Sequence, residues 1–151
     1  GIIDGKLREI LESGHFTTLL AVGNEEPLPN SLLDSLPKEL TIERICGKNP
    51  THANRLINEW IKQHGDTTST DVVVLSAVNW TDCLTLSTYL RDHPAQVLFE
   101  DVNDLDSIAS AVTAVAHVPS GHKLTFIGDD TLFTPMDKML LAKNYTHKAN
   151  A

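Results

Sequence analysis

Carboxylates supply the most suggestive chemistry in this chain. Glu25 and Glu26 follow one short apolar run, Asp101 and Asp104 follow another, and Asp129 follows a third. Gathered at one edge of a sheet, they would hold Mg²⁺, which takes a few oxygen ligands and keeps part of its water shell. Such a site would serve phosphoryl transfer or hydrolysis. The same residues also suit turns and helix caps, where a short side-chain oxygen bonds the neighbouring backbone. Both readings stand at this point. A second group is Ser76, Asn79 and Trp80, at and just beyond the end of the run Asp71 to Ala77. Ser76 has no G-x-S-x-G surround that would lift it out as a nucleophile. Trp80 either lines a ligand or partner surface beside Asn79 or packs on the helix that follows. No catalytic residue is assigned.

Other chemistries find no support. There is no G-x-G-x-x-G and no G-x-x-x-x-G-K-[ST], so the backbone cradle of a nucleotide-binding loop is missing. Cys46 and Cys83 are the only cysteines and read as two separate thiols in a reducing compartment. The seven histidines are scattered, and the pair His117 and His122, either side of Val118-Pro119-Ser120-Gly121, does not have a zinc spacing. Apart from Mg²⁺, no cofactor is expected.

The whole-chain balance narrows the class further. With 151 residues and 41% hydrophobic content, the chain is long enough and apolar enough for a folded core. A net charge of −8 without a Lys/Arg cluster argues against nucleic acid and against anionic lipid. No apolar run approaches the ~20 residues of a membrane span. Gly1 is not preceded by Met and no signal-peptide pattern follows, so a cytoplasmic domain taken from a larger protein is expected.

These residues must be positioned by an alternation of elements. Leu7, Ile10 and Leu11 predict an N-terminal helix over 4–13, stopped by Gly14. Strands are predicted at 17–22, 40–46, 71–77, 96–99 and 123–127. The run Val72-Val73-Val74-Leu75 is apolar on both faces, as the central strand of a parallel sheet should be. Helices are predicted between the strands, the clearest carrying Ala53, Leu56, Ile57, Trp60 and Ile61 at helical spacing. Another runs from Asp104 or Asp106 to Ala116. Thr134-Pro135-Met136-Asp137 predicts a capping box at the start of a last helix, with Met136, Met139 and Leu140 on its buried side. The alternation predicts a three-layer α/β/α sandwich around a five-stranded parallel sheet, with an added N-terminal helix. The expected layout is a linker or packing helix over 1–15, a single domain over 16–143 and a polar tail over 144–151.

This order of elements resembles the receiver domain of bacterial response regulators. Val22-Gly23-Asn24-Glu25-Glu26-Pro27-Leu28 resembles the end of that family's first strand. Asp71-Val72-Val73-Val74-Leu75-Ser76 resembles its third, and Asp104-Leu105-Asp106-Ser107-Ile108 with Ala111, Val112 and Val115 resembles a late helix. The resemblance implies a flavodoxin-like fold over about 16–143. It also implies a degenerate site. Gly23 and Asn24 stand where the family carries its metal-binding acids, Ser76 stands where it carries the phospho-accepting Asp, and Gly128-Asp129 replaces its Lys-Pro. A serine alkoxide is not available at neutral pH without a base. The resemblance therefore implies a non-catalytic signalling or interaction domain, a pseudo-receiver of a two-component system, whose partner is another domain of the same protein, a separate protein or a second copy. The alternatives are a Mg²⁺-dependent phosphoryl-transfer or hydrolytic domain built on the acidic edge, and a small-molecule-binding domain.

Overall fold

The computed structural model describes residues 3–65, 71–78, 81–101, 103–104, 107–109, 111, 123–128 and 131–146. It is mixed α/β with parallel strands, and the chain divides into two units, Gly1–Lys48 and Asn49–Ala151.

In the first unit, α1 spans Gly5–Glu12, β1 Thr18–Val22, α2 Asn30–Leu33 and β2 Thr41–Ile45. Asp4 caps α1 by accepting from the Lys6 amide at 3.0 Å, and Gly14, at φ +74°, ends it. The two strands pair in parallel from Thr18–Thr41 to Val22–Ile45. Parallel neighbours need a crossover between them, and the loop containing α2 supplies it. Leu11 of α1 joins Ala21, Leu33, Leu36 and Leu40 in one apolar cluster, so the N-terminal helix packs on this unit. Pro29 stands at the N-cap of α2 and no side chain caps the helix; Asn30 follows it. It is the helix's first residue, and its side chain is engaged elsewhere, as set out below.

In the second unit, α3 spans Pro50–His64, β3 Val72–Ser76, α4 Thr81–Asp92, β4 Gln96–Glu100 and β5 Leu124–Ile127, and the C-terminal helix α5 spans Pro135–Thr146. Of the predicted helix over 104–116, residues 107–109 and 111 are helical and 112–116 lie outside the described residues. β3 is central, as its two-sided apolar pattern requires, and all five of its residues are buried. Its side chains alternate between two cores. Val72 and Val74 pack with Leu98, Ala111, Phe133 and Leu141. Val73 and Leu75 pack with Leu86 of α4 on the other face.

The single five-stranded sheet expected from the alternation is not shown among the described residues. The strands pair as β1-β2 and as β4-β3-β5. At the outer edge of β4 the backbone is met by side chains. The Asn54 and Asn58 amides of α3 both donate to the Val97 carbonyl, at 3.0 and 2.9 Å. The Asn54 carbonyl in turn accepts from the Phe99 amide at 3.0 Å. Side chains thus occupy backbone groups that another strand would use. α3 buries none of its residues fully. Trp60, expected in the core, is half-buried and stacks on His64 at 4.6 Å. The strand order differs from the flavodoxin-like one as well. That order places the fourth strand between the third and fifth, whereas here β3 lies between β4 and β5.

Candidate functional site

In an open parallel sheet, ligands approach the carboxyl ends of the strands. In the β4-β3-β5 sheet those ends carry Ser76 and Glu100, which are direct neighbours in the parallel register. Residues paired in this way point to the same face. Ser76 therefore continues the row Val72, Val74, and Glu100 continues the row from Leu98. The result is a polar step at the top of the apolar face covered by Phe133 and Leu141.

Glu100 is fully buried, with 0% of its surface exposed. Neither of its carboxylate oxygens has a hydrogen-bond partner among the described residues. Burial pushes the Glu100 carboxyl up from 4.5 to about 7, and the negative charge of Asp137 pushes in the same direction. A buried carboxylate without donors is costly enough that the group takes up a proton instead. Glu100 is thus neutral in mildly acidic solution and ionises near neutrality.

The surroundings of Glu100 are built by caps. The Asp101 amide donates to the buried Ser107 hydroxyl at 2.9 Å. Asp101 also accepts from the Asn103 amide at 3.0 Å, and Asp104 supplies the carbonyl for Ile108 at 3.1 Å. Asp101 and Asp104 are thereby turn and helix-start residues. Asp137 closes the capping box read from the sequence. Its carboxylate accepts from the Thr134 amide at 2.9 Å and from the Thr134 hydroxyl at 2.6 Å, and its amide donates back to that hydroxyl at 3.2 Å. Ser76 accepts from the Val78 amide at 3.2 Å. Beyond β5, Gly128 has φ +138°, and a Cβ there would lie 3.0 Å from the Phe133 ring, so Phe133 fills that position.

The other expected site residues are placed as follows. Asn79, Trp80 and Asp129 lie outside the described residues. Glu25 and Glu26 belong to the first unit, in the exposed loop after β1. Glu25 accepts from the Asn30 side-chain amide. Asn30 and the carbonyls of Gly23 and Leu28 in turn accept from the Arg44 guanidinium, at 3.0, 2.7 and 2.7 Å. Among the described residues, no group of three or more His, Cys, Asp or Glu is placed to hold a metal ion. Cys46 and Cys83 are both free thiols.

A different surface emerges on α5. Met136, Met139 and Leu140, expected on its buried side, are exposed at 65, 57 and 40%, while Leu141 is at 0%. Asp137 and Leu141, four apart, mark the inward side instead. The correction has a simple cause. The helix has apolar residues on several sides, so sequence periodicity alone did not select the one that packs. Sequence reading counted Glu100 among the carboxylates that follow the fourth strand and Asp137 in a capping box, assigned a site role to neither, and passed over Arg44. The signal for Glu100 was its place, an acid at even spacing from Leu98 at the end of an apolar strand.

No helix among the described residues is long and apolar enough to cross a membrane. Comparison of the chain with protein-family models, with curated proteins and with solved structures finds no match to any of them.

Proposed function

We propose that this chain is a non-catalytic interaction domain that docks a partner protein through the outward face of α5. The observation that carries this reading is the stripe Met136, Met139 and Leu140, three large apolar side chains on one helix, all exposed. Positions i, i+3 and i+4 adjoin on a helix, so the three make a continuous patch. Apolar patches on a helix face mark docking surfaces, and methionine adapts to the shape of what it meets. The net charge of −8 favours a partner with an apolar centre and a basic rim. The strand ends support the same reading. Ser76 is buried and engaged with the Val78 amide, which leaves it poorly placed to act as a nucleophile.

The test is a double substitution, Met136→Glu with Met139→Glu. Sedimentation of the unaltered chain first decides whether the partner is a second copy. If it is monomeric, a photo-crosslinker at Leu140 identifies the partner, and binding is then measured with both proteins purified. At least a tenfold loss of affinity in the double variant, with unchanged helix content, is expected. Equal binding by the variant would sink the proposal.

A further inference from the structure

The inward side of α5 raises a separate question. Leu141 packs with Val72, Val74 and Leu98 on the sheet. Four residues earlier, Asp137 acts on Glu100, which lies one step beyond Leu98 on the same face. The helix is therefore seated by an apolar contact at Leu141, and its first turn carries the carboxylate that acts on Glu100. A negative charge nearby makes it harder for a buried carboxyl to ionise. Asp137 is committed as the cap of α5, bonded to Thr134 through both the amide and the hydroxyl. A cap of this kind is most effective when charged, because the helix N-terminus carries partial positive charge. Burial, and then the negative charge of Asp137, favour the protonated form of Glu100.

No described neighbour opposes that preference. Across β3 the facing residue is Ser76, which does not titrate in this range. The helical residues that follow the β4 turn are Ser107, Ile108, Ala109 and Ala111, with no charge among them. Asp101 and Asp104 lie in the turn on Glu100's own chain and are also acids. From α5 the charged group acting on Glu100 is Asp137.

We infer that α5 is a proton-controlled clamp, seated on the sheet while Glu100 is protonated and loosened when Glu100 ionises. Loosening would let water or a donor reach the carboxylate. The clamp does not depend on the docking role of the opposite face. If that face does bind a partner, the same proton would govern the helix that carries it.

The test is amide hydrogen exchange in the whole chain at pH 5 and pH 8, corrected for the intrinsic pH dependence of exchange. Protection within α5, read at Leu141, should fall by roughly 50- to 100-fold, the ratio expected when opening exposes a carboxyl shifted from 4.5 to about 7. Protection in α4, on the other face of the sheet, should fall far less. Glu100→Gln should abolish the change in α5. Asp137→Asn, which keeps a capping oxygen, should move the midpoint to lower pH. A flat profile in the unaltered chain overturns the inference, as does equal loss in α4 and α5, or a Glu100→Gln profile like that of the parent. If Glu100→Gln does not fold, the parent profile and the Asp137→Asn midpoint decide the matter.

Discussion

The two units solve the same local problem in opposite ways. Each has a polar side chain near the carboxyl end of a parallel strand. In the first, Arg44 finds three acceptors, the carbonyls of Gly23 and Leu28 and the Asn30 side chain, and so ties down the loop after β1. In the second, Glu100 is fully buried and neither oxygen has a partner among the described residues. A guanidinium cannot shed its charge and must be satisfied. A carboxyl can take a proton and be tolerated. Arg44 is therefore expected to contribute stability at every ordinary pH, and Glu100 to make stability depend on pH.

The largest expected effect falls on Glu100. In the unfolded chain an ordinary carboxyl ionises from 4.5 upward, whereas folded Glu100 holds its proton to about 7. Between those values the unfolded state sheds its proton first, so folding stability drops as pH rises and the loss is complete above about 7. The stability of Glu100→Gln relative to the parent should thus improve by about 3 kcal/mol between pH 4 and pH 8. Urea unfolding at both pH values measures this, and a constant difference would break the contrast with Arg44. Next in size is Arg44→Met, which strands two backbone carbonyls and should cost about 2 kcal/mol, equally at pH 5 and pH 8. A pH-dependent cost would show that Arg44 acts through its acidic neighbours instead of through the carbonyls. The smallest effect is Asn54→Ala. It frees the Phe99 amide while Asn58 still serves Val97, so a loss of about 1 kcal/mol is expected. Exchange of the Phe99 amide should also become faster. An unchanged rate there would mean that α3 shields the edge of β4 by bulk and not by hydrogen bonding.

Much of the local structure was legible in the residues. The two-sided apolar run of β3, the capping box Thr134 to Asp137 and the stop at Gly14 depend on neighbours within a few positions, and each is found as read. The site was far less legible. Asp101 and Asp104 invited a metal reading; the bonds of Asp101 are also those of a turn, and the two uses of an acid look alike in sequence. Glu100 stood at the end of a strand like any polar residue there. Its importance comes first from its complete burial and then from the charge of Asp137, thirty-seven positions away.

The sequence by itself determined the alternating elements, the central place of β3 and the acidic surface, because backbone preference, side-chain period and charge are local properties. The tertiary structure alone decided that the strands divide into two sheets, that Asn54 and Asn58 cover the edge of β4, that α5 turns Leu141 inward and its methionines outward, and that Glu100 is dry. Each of those outcomes depends on which surfaces meet across long stretches of chain. Burial, which sets both the cost of a charge and the side of a helix that packs, exists only once they have met.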